Sequence, residues 1–540
     1  MSKHAWWQEG TIYQIYPRSF MDSDGDGIGD LEGVRTRLDY LVWLGVDAIW
    51  LSPIYPSPMT DFGYDVADFC GVDPRFGTLA SFDALVRDAH ARGLKVILDY
   101  VPNHTSDQHP WFREARSARD SPKRDFYLWR DPGPGGQPPN NWLSEFGGSA
   151  WEWEPATAQF YCHSFLKTQP DLNWRNPTLR AAMLEVLRFW LERGVDGFRV
   201  DAIHHLIKDD QYRSNPVNPD YRPGQPPKRS LIRLYTTDRP EVHEAIGLMR
   251  GVLDAYPDRV LIGEAYLPIE RLVRYYGVEL AGIHLPFNFH LIHSRWDAAL
   301  VADLVRRYEQ ALPPGAWPNW VLGNHDRSRI ATRVGPGQAR VAAMLLLTLR
   351  GTPTLYYGDE LGMHDVPIAL SRVQDPWEKN EPGLGLGRDP ERTPMQWAPT
   401  PNAGFSNAPP WLPVASDFGV ANVEAERADP ASMLNLYRTL LAIRRQHPAL
   451  AVGSLVPLDT DTDTDTGTDI PPGVLGYERK QGMDRLAVLL NLTSDPRRLV
   501  LPAHLVGATI LLSTLPGAGP DLGGATVTLG ADEGVLMAVR

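Results

Sequence analysis

Short runs rich in Val, Ile, Leu and aromatic residues recur through the first two-thirds of the chain, separated by longer stretches of helical period. The runs are Thr11–Tyr16, Ala48–Ser52, Lys95–Val101, Gly197–Val200, Arg259–Ile262, Ile283–Pro286, Trp320–Leu322 and Pro353–Tyr356. Their near-continuous apolarity predicts strands buried on both faces, the mark of a parallel sheet. Between them, Asn176-Pro177 reads as an N-cap with proline in the first turn. Leu179, Met183, Val186, Leu187, Trp190 and Leu191 then keep one face apolar until Gly194 stops the helix. Leu31, Val34, Leu38, Leu41 and Val42 do the same before Gly45, as do Phe82, Leu85, Val86 and Ala89 before Gly93. Eight strand–helix units predict an α/β fold, a (β/α)8 barrel of the TIM type, in preference to an open doubly wound sheet.

Two regions break this rhythm. A long segment between the third and fourth strands, with Pro/Gly clusters such as Asp131–Pro139, predicts a subdomain inserted on the loop side of the barrel. From about Val452 the helical period disappears, and Leu486–Leu490, Ala508–Leu512 and Ala525–Leu529 predict a small antiparallel β-domain. The expected division is 1–103 and 174–451 for the barrel, 104–173 for the insertion and 452–540 for a C-terminal β-sandwich. The Asp-Thr alternation at Asp459–Asp469 predicts a solvated loop, because like charges repel and nothing there can pack.

Composition narrows the function. With 53 basic and 66 acidic residues, the net charge of −13 argues against nucleic acid or an anionic membrane as partner, since phosphate contacts need a basic surface. Two cysteines, Cys70 and Cys162, make no disulfide framework or CxxC pair and are expected to be buried apolar residues. The segment Met1–Gly10 lacks the order of a signal peptide, so a cytoplasmic location is expected.

In a barrel of this kind chemistry gathers where strands end. Four predicted strands deliver a carboxylate there: Asp99, Asp201, Glu264 and Asp326, with His104, Arg199 and His325 interleaved. Carrying four acids to one end is electrostatically costly, which points away from a purely structural use. They could hold a magnesium ion, or work on an acetal as a pair of carboxyl groups, one ionised and one protonated. Arg199, two residues before Asp201, shares its strand face and is expected to keep Asp201 ionised. Glu264, after Leu-Ile-Gly and before Ala, is expected in an apolar setting that raises its pKa.

At these residues the sequence resembles glycoside hydrolase family 13, the α-amylase family. Asp99–His104, Gly197–Asp201, Gly263–Glu264 and Asn324–Asp326 match its four signature regions in order. The resemblance implies a retaining double displacement with Asp201 as nucleophile, Glu264 as acid then base, and Asp326 as stabiliser. It also implies that His104, His325 and Arg199 hydrogen-bond the reacting sugar and its carboxylate neighbours. Gln169–Asn173, Asp61–Asp65 and Arg388–Trp397 resemble the oligo-1,6-glucosidase and α-glucosidase branch. There the counterparts of Asp61 and Arg392 clamp the terminal glucose and that of Tyr64 stacks on its ring. The enzyme would therefore act on chain ends of short α-glucosides.

Ala202, directly after the implied nucleophile, leaves room that valine would fill. In similar enzymes valine goes with α-1,6 bonds, so an α-1,4 preference is expected; one such volume change is worth ~1–3 kcal/mol of discrimination. Oligo-1,6-glucosidase, sucrose hydrolase or isomerase and trehalose synthase share the scaffold, and glucosyl transfer is open to any retaining enzyme. A non-catalytic barrel serving as a binding subunit would lack the carboxylates found here. Finally, Asp22-Ser-Asp24-Gly-Asp26-Gly-Ile28-Gly-Asp30 sets oxygens at a spacing that suits a hard cation. Glu32 comes one residue too early for an EF-hand. The resemblance implies a structural calcium held by Asp22, Asp24, Asp26, the Ile28 carbonyl and Asp30.

Overall fold

The computed structural model describes residues 4–458, 470–517 and 521–539, so the Asp459–Asp469 run lies outside the described residues. Eight parallel strands form one sheet: β1 (Ile12–Ile15), β2 (Ala48–Leu51), β3 (Lys95–Tyr100), β4 (Gly197–Val200), β5 (Val260–Gly263), β6 (Leu285–Pro286), β7 (Asn319–Val321) and β8 (Thr352–Tyr356). Strand β8 pairs with β1, and a parallel bridge between Asn288 and Trp320 joins the β6 and β7 ends to complete the barrel. Each predicted strand is present within a residue or two of its expected ends.

The alternation of side chains explains the apolar runs. Ile12, Trp50, Ile97, Val260, Ile262 and Leu285 pack together inside the barrel. Their neighbours Tyr13, Ile49, Leu51, Val96, Leu98 and Leu261 belong to the main core outside it. Both faces are dry, so the strands need apolar residues at successive positions.

The helix Pro177–Glu192 starts where Asn176 accepts from the Thr178 and Leu179 amides, at 2.9 and 3.0 Å. All six of its predicted apolar positions are buried, each worth ~1.5–3 kcal/mol for a large side chain. Gly194 follows at φ +94°, a conformation that a side chain resists. The segment after β1 differs from expectation. It forms two helices, Leu31–Thr36 and Leu38–Leu44, broken at Arg37, and Val42 is 41% exposed while Leu44 takes the buried place.

After β3 an antiparallel sheet of Trp129–Arg130, Gln159–Cys162 and Trp151–Glu154 forms, in that spatial order. The chain then returns beside the β3 exit, with the Leu172 amide donating to the Asn103 carbonyl at 2.8 Å. Beyond the barrel, five antiparallel strands (Ser454–Pro457, Val474–Gln481, Asp484–Asn491, Gly534–Ala538 and Thr509–Ser513) make one sheet. Arg497–Val500, Thr526–Leu529 and Asp521–Gly523 make a second. Buried Arg479 ties the larger sheet to the barrel helix Ile330–Thr348 by donating to the Thr348 carbonyl at 2.5 Å. Cys162 is buried and Cys70 only partly so. Among the described residues no helix is long and apolar enough to cross a membrane.

Candidate active site

The strand register builds the site. Asp99 of β3 sits opposite Arg199 of β4, and Asp201, two residues beyond Arg199, shares its face. Glu264 leaves β5 immediately beyond Gly263, which pairs with Val200. The Arg199 guanidinium therefore meets three carboxylates at once. Its Nη1 lies 2.5 Å from Asp99 Oδ1 and 2.9 Å from Asp201 Oδ1, and its Nη2 lies 2.6 Å from Glu264 Oε2. The Ala202 amide donates to that same Glu264 oxygen at 2.9 Å. Ala202 turns the chain there at φ +43°, ψ +38°, left-handed backbone that costs an L-residue ~1–2 kcal/mol.

Asp326 arrives from β7 and is gripped by two further arginines, Arg392 Nη2 at 2.7 Å and Arg388 Nη1 at 3.2 Å. Arg388 also pairs with Asp61 Oδ1 at 2.7 Å and with Asp375 at 2.7 Å. The Gln169 amide donates to the other Asp61 oxygen at 3.1 Å. His325 is held as a neutral donor: Gln14 donates to its Nδ1 at 2.7 Å, and its Nε2 donates to the Tyr64 hydroxyl at 2.6 Å. That hydroxyl donates onward to Asp99 Oδ2 at 3.2 Å, and the two rings stack 5.3 Å apart.

Asp61, Tyr64, His104, Asp201, Ala202, Glu264 and Asp326 all face one cavity of about 490 Å³. The three acids expected to act together thus share a space large enough for a sugar. Arg199, His325 and Arg392 are buried behind its wall. They touch the carboxylates that line it.

Burial and crowding set the charges. Desolvation lifts Asp99 to about 6 against the pull of Arg199, with Glu264 adding to the rise. Desolvation also lifts Asp201 well above the usual carboxylate range, with Arg199 opposing and Glu264, Asp99 and Asp326 reinforcing. For Asp326, burial is outweighed by its neighbours, the cations Arg388, Arg392 and Arg199 among them, so its carboxyl is held well below the usual range. Burial takes His104 down to about 4, leaving it neutral. One arginine is shared among three acids, and Asp99 and Asp201 are both raised in spite of it, so two expectations change. Arg199 does not by itself keep Asp201 bare, and Glu264 sits beside a guanidinium and an amide in place of an apolar pocket.

Residues 14–453 match the model of the alpha-amylase catalytic domain. The chain belongs to this family. It is 42% identical to a probable alpha-glucosidase of Rhizobium meliloti (strain 1021), covering 92% of this chain and 91% of that protein. It is 38% identical to an oligo-1,6-glucosidase of Parageobacillus thermoglucosidasius, covering 94% of each. The crystal structure of the alpha-glucosyl transfer enzyme XgtA superposes with a TM-score of 0.92 at 41% identity, covering the whole of both chains.

Within this alpha-amylase-family frame, several wall residues were not legible beforehand. Arg388, which opens the Arg388–Trp397 segment, pairs with Asp61, whereas Arg392, expected with Asp61 as a clamp on the sugar, pairs with Asp326. The two arginines are four apart on one tight turn, and only the fold decides that Arg392 turns inward to Asp326 and the His325 carbonyl. Residues 208–240, a third long excursion after β4, supply Asn218, Lys228, Arg229, Leu231 and Arg233 to the cavity. Their Pro-rich composition was the available signal.

In the loop after β1, Asp22, Asp24 and Asp30 offer carboxylate oxygens that all lie within 4.8 Å of one another. Asp26 falls outside that group, its Oδ1 accepting from the Ile28 amide at 2.7 Å. Three facing oxygen donors suit a hard cation in this loop.

Proposed function

We propose that this chain is an exo-acting, retaining α-glucosidase on short α-glucosides. The observation that carries the reading is the bridging of Asp201 and Glu264 by one guanidinium, with an Asp326 held ionised, in a cavity that the Asp61–Arg388 pair also lines. Two carboxyl groups that close suit double displacement, where no water needs to fit between nucleophile and sugar. Asp201 attacks the anomeric carbon as Glu264 gives its proton to the departing oxygen. Glu264 then takes a proton from water, whose oxygen displaces the Asp201 ester. Asp326, fixed by Arg388 and Arg392, offers negative charge to the oxocarbenium-like transition state. For this attack Asp201 must be bare when substrate is bound. The buried Asp61–Arg388 pair, braced by Gln169, fills the space into which a longer chain would extend, hence action on chain ends.

The small Ala202 supports a preference for α-1,4 bonds. The likeness to an enzyme named for alpha-glucosyl transfer supports transfer to alcohols beside hydrolysis. We further propose that Asp22, Asp24 and Asp30 hold a structural calcium ion, and that the protein works in the cytoplasm. The test is a panel of maltose, isomaltose, sucrose, trehalose and starch with products separated by chromatography. Glucose release from maltose exceeding that from isomaltose, with starch nearly inert, is expected. Rapid internal cleavage of starch would overturn the exo reading.

A further inference from the structure

One stretch of the cavity wall is rich in cations. Residues 208–240 and the turn after Asp326 bring Lys228, Arg229, Arg233 and Arg327 to it with Glu145 among them, while Asp201, Glu264 and Asp326 line the same cavity. Glu145 is fully engaged: its Oε2 lies 2.8 Å from Lys228 Nζ, and its Oε1 contacts Arg233 Nη1. Among the described residues Arg229 makes no ion pair, and Arg327, whose buried Nε makes no hydrogen bond, lies over the Tyr266 ring within the field of Asp326 and Glu264. The imidazoles nearby add no counter-charge. His293 is driven down to about 4 by burial and by Arg327, Arg333, His290 and Arg229, which shows how closely these cations crowd.

Lys228 and Arg233 share the one carboxylate of Glu145 and exposed Arg229 has none, so this stretch of wall is locally positive in a chain of net charge −13. A neutral sugar, offering only hydroxyls, would add no ion pair to the guanidiniums of Arg229 and Arg327. An oxyanion would give each of them charge-assisted, planar hydrogen bonds.

We propose that this wall is an anion-accepting subsite, so that the preferred leaving group or glucosyl acceptor carries a carboxylate or similar oxyanion. The proposal rests on the α-glucosidase reading and deepens it by naming the class of aglycone. In the cleavage it describes, the bond from the anomeric carbon to the aglycone oxygen breaks as Asp201 bonds to that carbon. The aglycone oxygen takes the Glu264 proton, and the anionic alcohol leaves with its carboxylate unchanged.

The test compares 4-carboxyphenyl α-glucoside with its methyl ester, which differ in charge and little in leaving ability. With the purified full chain, kcat/KM for the acid is expected to exceed that for the ester by about tenfold or more at low salt. The ratio should fall towards one in high salt, because such contacts are screened. The Arg229→Gln/Arg327→Gln double variant should bring the ratio to near one; Arg229→Gln alone, at an exposed position, should lower it part of the way. A wild-type ratio at or below one, or a ratio that neither variant moves, overturns the inference. Nitrophenyl α-glucoside, run in parallel, separates the two levels. No nitrophenol release overturns the α-glucosidase reading and this inference together, whereas release without anion preference overturns only the inference.

Discussion

Arg199→Gln tests the electrostatic frame of the site most directly. The guanidinium is fully buried and meets Asp99, Asp201 and Glu264 at 2.5, 2.9 and 2.6 Å. Glutamine removes the charge and leaves three carboxylates facing one another without it. At an effective dielectric of about 20, each close pair interacts by roughly 4 kcal/mol, most of it offset by the desolvation of the arginine itself. Breaking a buried charge cluster by deleting one partner costs about 3–5 kcal/mol. That loss should depend on pH. Asp99 titrates near 6 in the folded protein, above its unfolded value, and Asp201 is also raised. A raised acid contributes stability that is present below its unfolded pKa and is lost as pH rises through its folded pKa. Without Arg199 the acids should rise further, so the variant should be destabilised by about 3–5 kcal/mol at pH 8 and by less than half of that at about pH 5. Guanidinium denaturation followed by tryptophan fluorescence at the two pH values measures the difference. Equal destabilisation at both would refute the shared-charge account and leave only lost packing.

The other predictions concern chemistry and the loop after β1. Asp201→Asn should lower kcat by roughly 10⁴-fold or more, about 5.5 kcal/mol of barrier, with a melting temperature unchanged or slightly higher because one repelled acid is gone; a small rate loss would place the nucleophile elsewhere. Ala202→Val should raise the isomaltose-to-maltose activity ratio and cost ~1–2 kcal/mol of stability, since a β-branched residue must take left-handed backbone; an unchanged ratio would discard the linkage argument. Chelation should lower the melting temperature while initial turnover of nitrophenyl α-glucoside persists, and Asp22→Ala should abolish that sensitivity. Immediate loss of turnover on chelation would point instead to a metal in the chemistry.

Strand positions, barrel class and the four strand-end acids were all legible in the linear chain. Each depends on local rules: two-sided burial demands apolar runs, helix ends demand caps and glycines, and a carboxylate at a strand terminus has one place to go. The opposition of Arg199 to Asp99, the choice of Arg388 over Arg392 as partner of Asp61, and the left-handed turn at Ala202 were decided by tertiary structure. They depend on register across strands and on how a short turn is rotated. The charge states belong to the same class. Whether an acid is bare depends on how many others share its nearest cation, and residues far apart along the chain settle that number only when the barrel brings them together.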